Sequence, residues 1–149
     1  MSTLVVKYGS TAKNRNASSA ESATLLWSNN DRTASFSAQD VTLSQAVDSF
    51  RYLRVIYAYS TSSAEDSFRE VMVPVWNNDR SAYMYQYVTG STTGYRAALC
   101  LRNSEGTVRA RTFNIYEDGE RMHFYGCQNI GGSTTSNTGC IPVYIYGIK

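Results

Sequence analysis

Short apolar runs separated by clusters of Ser, Thr, Asn, Asp and Gly recur from Thr24 to the C-terminus. That rhythm predicts an all-β chain, because β-branched and aromatic residues suit a pleated, half-buried surface while small polar residues make turns. The predicted strands are 24–27, 34–36, 40–43, 52–59, 69–76, 82–88, 95–102, 107–116, 120–127 and 141–148. Only 44–50 has the makings of a helical turn. Ahead of them a short apolar strand, 4–8, runs into a small, polar stretch. Residues 1–22 therefore read as strand and connector, and 23–149 as one antiparallel, jelly-roll-like β-sandwich of about ten strands.

One meander can be registered from its turns. Asn103 to Gly106 is a turn loop and Asp118-Gly119 a strong hairpin signal. Leu101 should then face Val108, Leu99 face Ala110, Ile115 face Met122 and Phe113 face Phe124. Val108 and Ala110 have one parity, Phe113 and Ile115 the other. Either a β-bulge near Thr112 or a strand buried on both faces reconciles them. The face opposite the apolar pairs collects Arg96, Arg102, Arg109, Arg111, Arg121 and His123. It reads as a solvated surface, or as one that takes an anionic glycan or a partner subunit.

Composition narrows the function. The 149 residues are 42% apolar, 17% charged and 13% aromatic, with a formal net charge of +2. That balance suits one folded domain and makes no case for a nucleic-acid partner. No apolar run reaches the length of a membrane span, and the N-terminus lacks a secretory leader's apolar core. Three cysteines, Cys100, Cys127 and Cys140, are too few for a disulfide framework and lack zinc spacing. A bridge between Cys127 and Cys140 would close the loop between them, but buried thiols are the more usual state.

Catalytic patterns are absent from the sequence. His123 is the single histidine and sits mid-strand, with no Gly-x-Ser-x-Gly elbow anywhere. The acidic clusters Glu65-Asp66 and Glu117-Asp118-Glu120 fall in predicted turns, where they stay solvated. The reading is a non-enzyme with neither metal nor cofactor.

Binding residues are better represented. Tyr83, Tyr85 and Tyr87 share one face of a strand, and Tyr144 and Tyr146 share another, opposite Ile141, Val143 and Ile145. These tyrosines are candidates for a subunit interface or a second core layer. Loops 60–67, 76–81, 89–94 and 128–139 are candidate ligand loops, since sandwiches carry contacts on loops at one end. Among them Trp76 and Tyr95 offer stacking surfaces, and Asn77, Asn78, Asp79 and Arg80 offer hydroxyl partners. Arg96, Arg109, Arg111 and Arg121 form the alternative surface. The string from Trp27 to Ala34 is echoed from Trp76 to Ala82, which reads as recurrent turn chemistry.

Two segments carry a family resemblance. Leu25-Leu26-Trp27-Ser28-Asn29-Asn30, followed by Phe36, Gln39, Val41 and Leu43, resembles the opening of head domains in bacteriophage tail proteins. The strand from Tyr52 to Ser60 is similar to that family's next strand. The ending Ile141-Pro142-Val143-Tyr144-Ile145-Tyr146-Gly147-Ile148-Lys149 resembles the family's closing "IP-x-x-IYGIK". The resemblance implies a trimeric receptor-binding tip of a tail fibre, located in the virion and made in the bacterial cytoplasm. It also implies a host surface glycan or protein as receptor, other tail proteins as neighbours and no catalytic residues. A structural virion protein that binds only neighbouring subunits, and a small polysaccharide depolymerase or esterase, are the alternatives.

Overall fold

The computed structural model describes residues 22–75, 95–102, 108–116, 118–129 and 135–149. Among them are ten strands: β1 (Ala23–Ser28), β2 (Gln39–Thr42), β3 (Tyr52–Ser60), β4 (Arg69–Pro74), β5 (Tyr95–Arg102), β6 (Val108–Ile115), β7 (Arg121–Phe124), β8 (Cys127–Asn129), β9 (Thr135–Ser136) and β10 (Gly139–Ile148). They form two antiparallel sheets that pack into a sandwich. One has four strands in the order β1-β10-β3-β4. The other runs β2-β7-β6-β8-β9, with β5 also paired to β6. The helical turn expected at 44–50 is a 3-10 turn, Val47–Ser49. The segment 34–36 is loop rather than strand, although Phe36 is buried. The predicted strands 4–8 and 82–88 lie outside the described residues.

The C-terminal strand is central, as its apolar alternation requires: β10 lies between β1 and β3. Ile141, Val143 and Ile145 enter the core from it, at 0%, 3% and 0% exposure. Pro142 is near its start, beside a register shift between Pro142 and Tyr144, where a missing N–H is tolerated. The core continues through Leu53, Val55, Val73, Leu99, Phe113, Met122 and Phe124. At its centre Phe124 meets Phe113 at 5.3 Å, Phe36 edge-on at 5.7 Å and Trp27 at 6.4 Å between ring centroids. Gly147 is needed for packing: a Cβ there would stand 2.6 Å from the buried Phe50 ring. Gly147→Ala should cost ~1–3 kcal/mol as an overpacking change, read from a urea midpoint that falls at unchanged slope.

The meander corrects one register and keeps the other. Phe113 pairs with Phe124 and Ile115 with Met122, as expected from the Asp118-Gly119 turn. There Gly119 takes φ 72° and Asp118 Oδ1 accepts from the Glu120 N–H at 2.8 Å. The β5–β6 hairpin is offset by one residue, with Leu99 opposite Arg111 and Leu101 opposite Arg109. That register puts Leu99 on the same side as Phe113 and Ile115, so all three reach the core without a bulge. Thr112 and Asn114, of opposite parity, are also buried, so β6 is covered on both faces.

Candidate functional site

The register offset breaks up the expected arginine surface. Arg111 is 0% exposed and points between the sheets, so it is not part of a solvated face. Its Nε donates to the Cys140 carbonyl at 2.8 Å, Nη1 to the Tyr125 carbonyl at 2.7 Å and Nη2 to the Gly139 carbonyl at 2.9 Å. The guanidinium also lies 5.3 Å from the Phe36 ring centroid. Burial pulls its proton affinity down, and the neighbouring Cys127 and Cys140 thiols act in the opposite direction. Arg109, of the same parity, is half-buried with its guanidinium beside Gly139. Of Arg109, Arg111 and Arg121, only Arg121 is exposed, paired with Asp118 at 3.1 Å and lying 4.2 Å over the Tyr116 ring. Arg96 is in β5 opposite Asn114, and Tyr95 opposite Ile115.

In place of an arginine face, the outer side of this sheet carries a polar cluster that the sequence did not disclose. β2 pairs with β7, setting Asp40 opposite His123. Asp40 Oδ1 lies 2.6 Å from His123 Nδ1 and accepts from the Tyr116 hydroxyl at 3.0 Å. The hydrogen bond from His123, and then that from Tyr116, hold the Asp40 carboxyl below its ordinary range. Tyr125 packs edge-on against His123 at 4.5 Å and accepts from Asn114 Nδ2 at 2.9 Å. Among the described residues no Ser, Thr or Cys hydrogen-bonds to His123. No signal in the sequence links positions 40 and 123, because only the strand order brings them together.

The outer side of the four-stranded sheet is apolar and aromatic. Cross-strand pairing aligns Leu25, Tyr146, Arg54 and Met72 in one row and Ser28, Tyr144, Ile56 and Glu70 in the next. Leu25 is 47% and Met72 37% exposed. The Tyr144 and Tyr146 rings lie 6.0 Å apart between them. The Arg54–Glu70 contact, at 3.8 Å, is the charged part of the surface.

Two of the candidate loops have described residues, and these share one end of the sandwich. Loop 60–67 meets the far side of loop 128–139 at one end, where the Thr61 N–H donates to the Thr138 carbonyl at 3.2 Å. The turn after β1 joins them: Arg32 donates to the Ser63 carbonyl at 2.8 Å and the Phe36 N–H to the Asn137 carbonyl at 2.8 Å. That turn is held by its own side chains, with Asn29 Oδ1 accepting from the Asp31 N–H and Asp31 Oδ1 from the Thr33 N–H. The end is rich in hydroxyls, including Ser60, Ser62, Ser63, Ser136 and Thr138. β4 finishes at the opposite end, with Pro74 paired to Tyr52, and the candidate loops 76–81 and 89–94 lie outside the described residues. Ser22 and Lys149 meet at that same end, where β10 finishes opposite Tyr52. Trp76, Asn77, Asn78, Asp79, Arg80, Tyr83, Tyr85 and Tyr87 lie outside the described residues.

No protein family, curated protein or solved structure matches this chain. Among the described residues, no helix is long and apolar enough to cross a membrane. Among the same residues, no three His, Cys, Asp or Glu side chains group as metal ligands do.

Proposed function

We propose that this chain is the receptor-binding head of a bacteriophage tail fibre or tail-tip protein, acting as a trimer and adhering to a glycan on a bacterial surface. The observation that carries the reading is the outer side of the four-stranded sheet. Leu25 and Met72 stand exposed there beside Tyr144 and Tyr146. Such a surface fits a neighbouring subunit, and closed symmetry is the usual way to cover it. The hydroxyl-rich end, built from the turn after β1, loop 60–67 and Thr138, is remote from Ser22, where the chain enters the sandwich. A head that trimerises through its sheets would turn this end toward the receptor. Three weak glycan sites then gain avidity without any new contact. The resemblance of the β1 segment and of the β10 ending to phage heads points the same way.

The same face suits a purely structural virion protein, so the test reads assembly and adhesion separately. Light scattering at micromolar concentration should give the trimer mass. Leu25→Lys with Met72→Lys should give monomers that stay folded and unfold cooperatively, because both side chains are exposed on the single chain. Binding to a panel of bacterial strains should fall by roughly 100-fold in those monomers. A monomeric wild-type chain overturns the assembly reading. A trimer that binds no strain, alongside normal incorporation into particles, assigns the structural role instead.

A further inference from the structure

We propose that Cys127 and Cys140 are an oxidation site: the two thiols join into a disulfide between the sheets and staple the segment that connects β8 to β10. This inference is independent of receptor and subunit.

Cys127 opens β8 in one sheet and Cys140 is the second residue of β10 in the other. Both are buried. Gly139 allows their approach, since a Cβ at that position would stand 2.9 Å from the Cys127 sulfur. Cys140 has φ 46°, the one positive φ on a residue other than glycine among the described residues. A left-handed conformation is costly for a residue with a Cβ and persists where its surroundings impose it. Arg111 supplies that constraint. Two of its three hydrogen bonds hold the Gly139 and Cys140 carbonyls, and the third holds Tyr125, two residues before Cys127. One buried guanidinium thus fixes the backbone on both sides of the thiol pair. The Cys140 thiol donates to the Arg109 carbonyl at 3.8 Å, and the Arg109 guanidinium lies beside Gly139 with the Cys127 sulfur.

The electrostatics favour the chemistry. The hydrogen bond from Cys140, together with the charges of Arg111 and Arg109, holds the Cys127 thiol below its ordinary value against the effect of burial. The thiolate is the nucleophile in thiol oxidation. With hydrogen peroxide as oxidant, the Cys127 thiolate attacks one peroxide oxygen, forming a sulfenic acid and releasing hydroxide. The Cys140 sulfur then attacks the Cys127 sulfur and expels its oxygen. Overall two thiols and one peroxide give one disulfide and two waters. Access comes through the sheet edge, where β9 is only two residues long and Ser136 is the partner of Cys127. Short edge strands open locally at low cost.

The experiment compares the full chain purified under reducing conditions with the same chain treated with hydrogen peroxide. Each is denatured in alkylating reagent, digested and weighed. Oxidation should produce one species in which Cys127 and Cys140 are cross-linked and Cys100 remains alkylated. Its melting temperature should rise by roughly 6–12 °C, since the bridge closes a short loop in the unfolded chain. Dithiothreitol should reverse both changes. The Cys100→Ser chain should behave identically. Cys127 and Cys140 that stay alkylated after oxidation overturn the proposal. So does cross-linking that includes Cys100, or a cross-link that leaves the melting temperature unmoved.

Discussion

Arg111→Ala should lower the stability of this domain by roughly 3–5 kcal/mol, measured by urea denaturation. Arg111 is the one fully buried charged side chain among the described residues. Its three hydrogen bonds all go to backbone carbonyls, those of Tyr125, Gly139 and Cys140. Hydrogen bonds to charged groups contribute ~1.5–3 kcal/mol, and a buried acceptor left without a donor costs ~1–3 kcal/mol. The truncation takes the arginine donor from all three carbonyls and opens a cavity beside Phe36. A domain typically holds only ~5–15 kcal/mol in total, so the variant should be marginal. Arg111→Met separates the two effects, because it refills much of the volume and restores no donor. Arg111→Lys should recover only part of the loss, since an ammonium lacks the planar fork that reaches carbonyls on two elements. A loss under about 1 kcal/mol for Arg111→Ala would mean that water reaches these carbonyls and that the clamp is dispensable.

Phe124→Ala should cost ~3–5 kcal/mol through the cavity it leaves. Phe124 is fully buried and touches rings from three other segments: Trp27 from the end of β1, Phe36 from the following loop and Phe113 from β6. Its loss therefore loosens the two sheets from each other as well as emptying a site. Near-ultraviolet circular dichroism should weaken with it, because Trp27 loses a neighbouring ring that fixes its orientation. Phe124→Leu should cost under about 2 kcal/mol, as a change that keeps most of the volume. Equal costs for the two variants would show that contact between the rings, not volume, sets the energy.

Most strand positions and much of the core were legible in the amino-acid pattern alone, although 34–36 is loop and the single strand expected at 120–127 divides into β7 and β8. β5 begins and ends where its apolar run does, and β3 and β10 differ from theirs by one or two residues. The pairing of β6 with β7 was readable too, because the Asp118-Gly119 turn sets the register and Gly119 supplies the positive φ it needs. Ile141, Val143 and Ile145 announce a core-facing strand through simple alternation. Local pattern loses its force where a strand is covered on both faces. β6 is such a strand, and its alternation no longer says which parity faces the core. The packed sheets, not the pattern, placed Leu99 opposite Arg111 and so sent that arginine inward. An arginine can be buried only where backbone carbonyls converge on its fork, and those of Tyr125, Gly139 and Cys140 do so because two sheets meet there. The Asp40–His123 pair likewise depends on strand order, which sets β2 beside β7 and so joins residues that no sequence spacing connects.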